Sequence, residues 1–92
     1  MIFENKKFGK CELKDLTQKQ FEEYSKLMLD YNKETLTVYR GQMLRTFAKL
    51  ELLVEPDWKA EDVDNAHPGH VKFVADCIEK HLAEILNIDP LS

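Results

Sequence analysis

Apolar residues recur along this chain with two different periods. Between Ile2 and Leu13 the pattern is short and alternating: Gly9, Cys11 and Leu13 interleave with Lys10 and Glu12, the period of a half-exposed strand. Asn5, Lys6 and Lys7 separate Ile2-Phe3 from Phe8 as a turn-like stretch, so residues 2–13 read as a β-hairpin. Two strands alone are marginal in water, so this hairpin has to pack on helices or on another chain.

Beyond Thr17 the spacing changes to three and four. Phe21, Tyr24, Leu27, Met28 and Tyr31 fall on one side of a helix, with Lys19, Glu22, Glu23 and Lys26 on the other. Thr17 and Gln20 form a capping box at its start, and the helix is expected to end near Asn32. A second helix is predicted from about Glu34 to Leu53, with Leu36, Tyr39, Met43, Phe47, Leu50 and Val54 in one stripe, widened by Leu44 and Leu53. Gly41 inside it costs on the order of 1 kcal/mol against Ala. Close packing against a neighbour is the expected reason for it, ahead of a hinge.

Pro56 lacks a backbone donor and disfavours helix in the residue before it, so the second helix must stop there. Residues 57–67 read as an acidic loop with room for one helical turn at 60–64. Pro68, at the favoured first position, opens the last helix. Its stripe is Val71, Val74, Cys77, Ile78, Leu82, Ile85 and Leu86, and Asp89-Pro90 is expected to stop it. Together these elements predict one mainly α (α+β) domain over residues 1–92, a short N-terminal β-hairpin followed by three principal helices.

Composition narrows the function. With 43% hydrophobic and 33% charged residues, and only three Gly and three Pro, the chain has enough apolar surface to fold. A net charge of −4 and a pI near 5.3 give no general footprint for a phosphate backbone, so nucleic-acid binding is disfavoured. Arg40, Arg45 and Lys49 remain as a basic helix face, read as solvated. The longest apolar run, Leu52-Leu53-Val54, is far too short to cross a bilayer. The first ten residues carry no apolar stretch of the secretory kind. The expected setting is therefore cytoplasmic and reducing, with Cys11 and Cys77 as free thiols.

Candidate chemistry is sparse. Cys77 and His81 lie one turn apart and could supply half of a zinc site. His70, however, is about 10 Å further along the axis at ~1.5 Å per residue, and Cys11 and His67 would have to be brought in by the fold. A buried thiol beside a boundary histidine is the stronger expectation. Asp57, Glu61, Asp62 and Asp64 lack the ligand ladder and Gly of a calcium loop, so they read as solvated. No Ser, Thr or Cys sits in an elbow or Gly-rich turn with a base beside it. No catalytic, cofactor-binding or metal-binding residue is assigned, and a non-enzymatic protein is expected. Most of the nine aromatic residues are expected in the core, and core is the favoured reading for any single one, but a chain this small can bury only part of so much apolar surface. Tyr24, Tyr31, Tyr39, Met43 and Trp58 are accordingly the candidate partner-binding residues, since aromatic groups and Met dominate interface cores.

Three segments carry a family resemblance. They are Asn5-Lys6-Lys7-Phe8, then Leu13-Lys14-Asp15-Leu16-Thr17, then Gln20-Phe21-Glu22-Glu23-Tyr24. This order of strand, turn, strand, Leu-Thr step and acidic amphipathic helix resembles the start of the small tail assembly chaperones of long-tailed phages, over about a quarter of the chain. The resemblance implies a small helical protein that binds the long, hydrophobic tape measure protein and keeps it soluble while tail tube subunits polymerise around it. Two other readings stand beside it: a small phage or bacterial regulator binding nucleic acid through the Arg40–Lys49 face, and a structural head–tail or tail component. An unpaired strand edge in the hairpin also makes self-association an expectation.

Overall fold

The computed structural model describes residues 1–87, so the expected stop at Asp89-Pro90 lies outside the described residues. Seven elements follow in order: β1 (Ile2–Asn5), β2 (Gly9–Leu13), α1 (Gln18–Leu29), α2 (Leu36–Lys49), β3 (Leu53–Glu55), α3 (Ala60–Val63) and α4 (Pro68–Leu86). The three strands form one antiparallel sheet in the order β1-β2-β3, and α4 packs on β2. The architecture is α+β and mainly helical.

The hairpin is set by its turn chemistry. Asn5 Oδ1 accepts from the amides of Lys7 and Phe8 at 2.8 and 3.0 Å, closing an Asx turn. Gly9 then takes φ +85°, the left-handed conformation that a three-residue hairpin loop demands at its end. This fixes the register, with Phe3 opposite Cys11 and Glu4 opposite Lys10. Cys11 and Leu13 are buried while Lys10 faces solvent, as the alternation predicts.

Helix α1 carries the capping box in full. Thr17 Oγ1 accepts from the Gln20 amide at 3.2 Å, and Gln20 Oε1 accepts from the Thr17 amide at 2.9 Å. It buries Tyr24 and Met28 but ends at Leu29, three residues short of the expected Asn32. Amide bonds of the i→i−3 kind, from Tyr31 to Met28 O and from Glu34 to Tyr31 O, tighten the chain into turns there. Tyr31 therefore lies in the connection and not on the helix stripe.

The second helix departs more from expectation. Instead of running to Leu53 it ends at Lys49, and Leu53–Glu55 becomes the third strand, with Leu53 opposite Leu13. The stop is a Schellman motif. The Leu52 amide bonds Phe47 O at 2.9 Å and the Glu51 amide bonds Ala48 O at 3.1 Å, with Glu51 at φ +60°. Buried Leu52 and Phe47 complete its hydrophobic contact. A short apolar run such as 52–54 fits a helix end or a buried strand equally well, and Glu in place of Gly at the left-handed position hid the break. Gly41 lies inside an unbroken α2, and its close neighbour belongs to the same helix, not to another helix or strand. Its missing side chain makes room for Arg45, whose Nη1 lies 3.2 Å from where a Cβ would stand.

The core gathers Cys11 and Leu13 from the sheet, Tyr24 and Met28 from α1, and Met43, Leu44 and Phe47 from α2. Leu52, Leu53 and Val63 join it, with Val74, Ala75, Cys77 and Ile78 from α4. Phe47 is fully buried, edge-on to Tyr24 at 5.5 Å between centroids and to His81 at 6.5 Å. Leu36 and Leu86, assigned to the buried stripes from spacing, are instead exposed at 56% and 59% because they sit at helix ends beyond the core. Among the described residues, no helix is long and apolar enough to cross a membrane.

Candidate functional site

The five candidate partner-binding residues separate into two groups. Tyr24 and Met43 are core, with 7% and 1% of their surface exposed. Tyr24 packs against Phe47, and burial beside Tyr39 and Glu79 pushes its hydroxyl pKa up. Tyr31, Tyr39 and Trp58 are half-buried and keep part of their surface free. Exposed aliphatic side chains lie close in sequence to two of these. Of the six large apolar residues most open to solvent, Leu29, Leu36 and Val38 lie within ten consecutive residues at the α1–α2 corner, exposed by 66%, 56% and 41%. Tyr31 and Tyr39 belong to the same corner. Spacing assigned Leu29 to no face and Leu36 to the core; their exposure depends on where each helix ends, which periodicity does not show.

Trp58 belongs to a different assembly. Phe8, at the hairpin turn, stacks on His70 of α4 with centroids 4.9 Å apart and planes 16° from parallel. Trp58 meets the same imidazole edge-on at 4.6 Å, Phe73 lies 6.4 Å from it, and His67 packs on the Phe8 ring at 5.6 Å. A Cβ on Gly69 would stand 3.0 Å from the Phe8 ring, so the hairpin docks on α4 where that helix has no side chain. Burial, and next the neighbouring His67, lower the His70 pKa, and its Nε2 is buried without a hydrogen-bond partner. Trp58 is thus a strut between the β3–α3 loop and α4.

Cys11, Cys77 and His81 of the Cys/His constellation are buried. His81, expected at the boundary, is 1% exposed. Its Nε2 donates to Lys14 O at 2.8 Å, leaving Nδ1 buried and unpartnered. Cys11 and Cys77 are free thiols facing each other across the β2–α4 contact, and burial raises the pKa of both. Among the described residues no group of three or more His, Cys, Asp or Glu is placed to hold a metal.

The basic residues of α2 do not present one open face. Arg45 folds back over Gly41 and pairs with Asp64, while Lys49 is exposed at the far end. Arg40 and Arg45 instead border a cleft of about 510 Å³ between α2, α3 and the start of α4. Compared with protein-family models, curated proteins and solved structures, the chain matches none.

Proposed function

We propose that this chain is a non-enzymatic binding protein of the tail assembly chaperone type, acting in the host cytoplasm to hold the apolar helical segments of a tape measure protein in solution. The observation that carries the reading is the α1–α2 corner, where Leu29, Leu36 and Val38 are exposed beside half-buried Tyr31 and Tyr39. Apolar and aromatic groups of this kind form the centres of protein interfaces. The rest of the surface suits a solubilising role, because a net charge of −4 disfavours aggregation of a complex. The hairpin and the Thr17-capped helix on which the resemblance rests are both elements of the fold.

Self-association belongs to the same proposal. Strand β1 is an edge of the sheet, and Ile2 on it is 56% exposed. Such an edge recruits further strands. The test is co-expression with a siphophage tape measure protein, followed by affinity capture and size exclusion. The expected result is a co-eluting complex, with the client soluble only when this chain is present. A client that stays insoluble, or that is soluble and elutes apart, would overturn the reading.

A further inference from the structure

The cleft between α2, α3 and α4 reverses the charge of the molecule around it. Its lining includes three cationic side chains, Arg40, Arg45 and Lys72, against a single carboxylate, Asp64. With Asp76, the partner of Lys72, counted as well, one positive charge remains in excess, against the composition of a chain with 17 acidic and 13 basic residues. Beneath the charged rim, Val63, Ala66 and Val71 supply apolar surface.

Each cation is differently disposed. Arg45 is already ordered: Gly41 gives its guanidinium room, and Asp64 holds it. Arg40 is half-buried, yet among the described residues it enters no salt bridge. Lys72 is tied to Asp76 on its own helix at 2.9 Å, an exposed pair that a ligand can exchange for itself at small cost. The amides at the start of α4 take no part, since those of Gly69, His70 and Val71 are bonded to His67.

We propose that this cleft binds a phosphate monoester dianion carried on a small apolar body. Two of the three cations are guanidinium groups, whose planar forks match the geometry of phosphate oxygens, and a dianion competes with Asp64 and Asp76 for Arg45 and Lys72. The volume of about 510 Å³ is that of a small-ligand site with a few charged groups on an apolar floor. The ligand's apolar part rests on Val63, Ala66 and Val71, and its phosphate lies between Arg40, Arg45 and Lys72. Asp64 is the internal competitor for Arg45.

The test is a titration of the full chain, followed by amide NMR at a pH of about 7.5, where a phosphate monoester is dianionic. The probes are phenyl phosphate, inorganic phosphate and benzoate. Saturable shifts confined to residues 37–45 and 63–72 are expected with phenyl phosphate, with inorganic phosphate and benzoate each weaker by about tenfold. Arg40→Gln and Lys72→Gln should each weaken phenyl phosphate by roughly fivefold or more, without moving amides elsewhere. Asp64→Asn should tighten it by releasing Arg45. Absence of saturation at about 20 mM, well above the range of a specific site, would overturn the proposal. So would shifts scattered over the charged surface, or equal binding of benzoate. Equal binding of inorganic phosphate would overturn the apolar body, and weaker binding by Asp64→Asn would overturn the role of Arg45.

Discussion

Glu51 occupies the left-handed position of the α2 Schellman motif at φ +60°, where a side chain is strained by about 1–2 kcal/mol. Glycine relieves that strain but adds freedom to the unfolded chain, so Glu51→Gly should stabilise the fold by about 0.5–1 kcal/mol net. Urea denaturation reads this directly, and a destabilised variant would show that the Glu51 side chain contributes more than its strain costs. His70 gives a second residue-level expectation. Its folded-state pKa is lowered from 6.5 by burial and by His67, so the unfolded chain takes up the proton first as pH falls. The stability it contributes is complete above 6.5 and declines as pH drops from there through the lower folded-state value. Positive charge on Lys7, 5.3 Å above the Phe8 ring, offers the imidazolium no compensation. The aromatic variant His70→Phe keeps a ring against Phe8 and Trp58 but cannot titrate. Urea midpoints measured at pH values of about 7.5 and 5.5, on either side of an ordinary histidine pKa, should fall more for the native chain than for His70→Phe. Equal falls would remove His70 from the pH response.

Among the elements, those specified by local chemistry were legible in the sequence. The Thr17 and Gln20 box placed the start of α1, Pro68 placed the start of α4, and Asn5, Lys6 and Lys7 placed the hairpin turn. Each of these signals acts within a few residues. What was not legible depends on distant partners. Leu53–Glu55 is a strand only because β2 offers it an edge, and its apolar run fits a helix terminus just as well. The Phe8–His70–Trp58 cluster joins the hairpin turn, the β3–α3 loop and α4, and no spacing announces it. Contact between β2 and α4 likewise brings Cys11 and Cys77 together from opposite ends of the chain. Both thiols are buried, 0% and 3% exposed, with pKa values raised by burial. A thiolate reagent should therefore modify neither rapidly in the folded chain and both in denaturant. Fast modification in the native state would mean that the β2–α4 contact opens readily.

For the whole molecule, the candidate site was legible only in part. The number of aromatic residues raised the expectation of an interaction surface, and of the residues named for it Tyr31 and Tyr39 are half-buried near the α1–α2 corner. Composition could not separate them from Tyr24 and Met43, which the core takes. Nor could it show that aliphatic Leu29, Leu36 and Val38 would be left outside, because that follows from helices stopping at Leu29 and starting at Leu36. The cleft was equally hidden, since Arg45, Asp64 and Lys72 meet only when α2, α3 and α4 pack. The three side chains are exposed, and the α2 cap uses only the Thr35 hydroxyl and the Val38 amide, so replacing them keeps the cap bond and is expected to change stability by only about 0.5 kcal/mol each. The decisive measurement is client solubility on co-expression with a siphophage tape measure protein, comparing the native chain with a triple variant, Leu29→Gln, Leu36→Gln and Val38→Thr. The predicted result is a soluble co-eluting complex with the native chain, and loss of most soluble client with the variant at unchanged thermal stability. A variant that retains the client as well as the native chain, or a native chain that never solubilises it, would contradict the account.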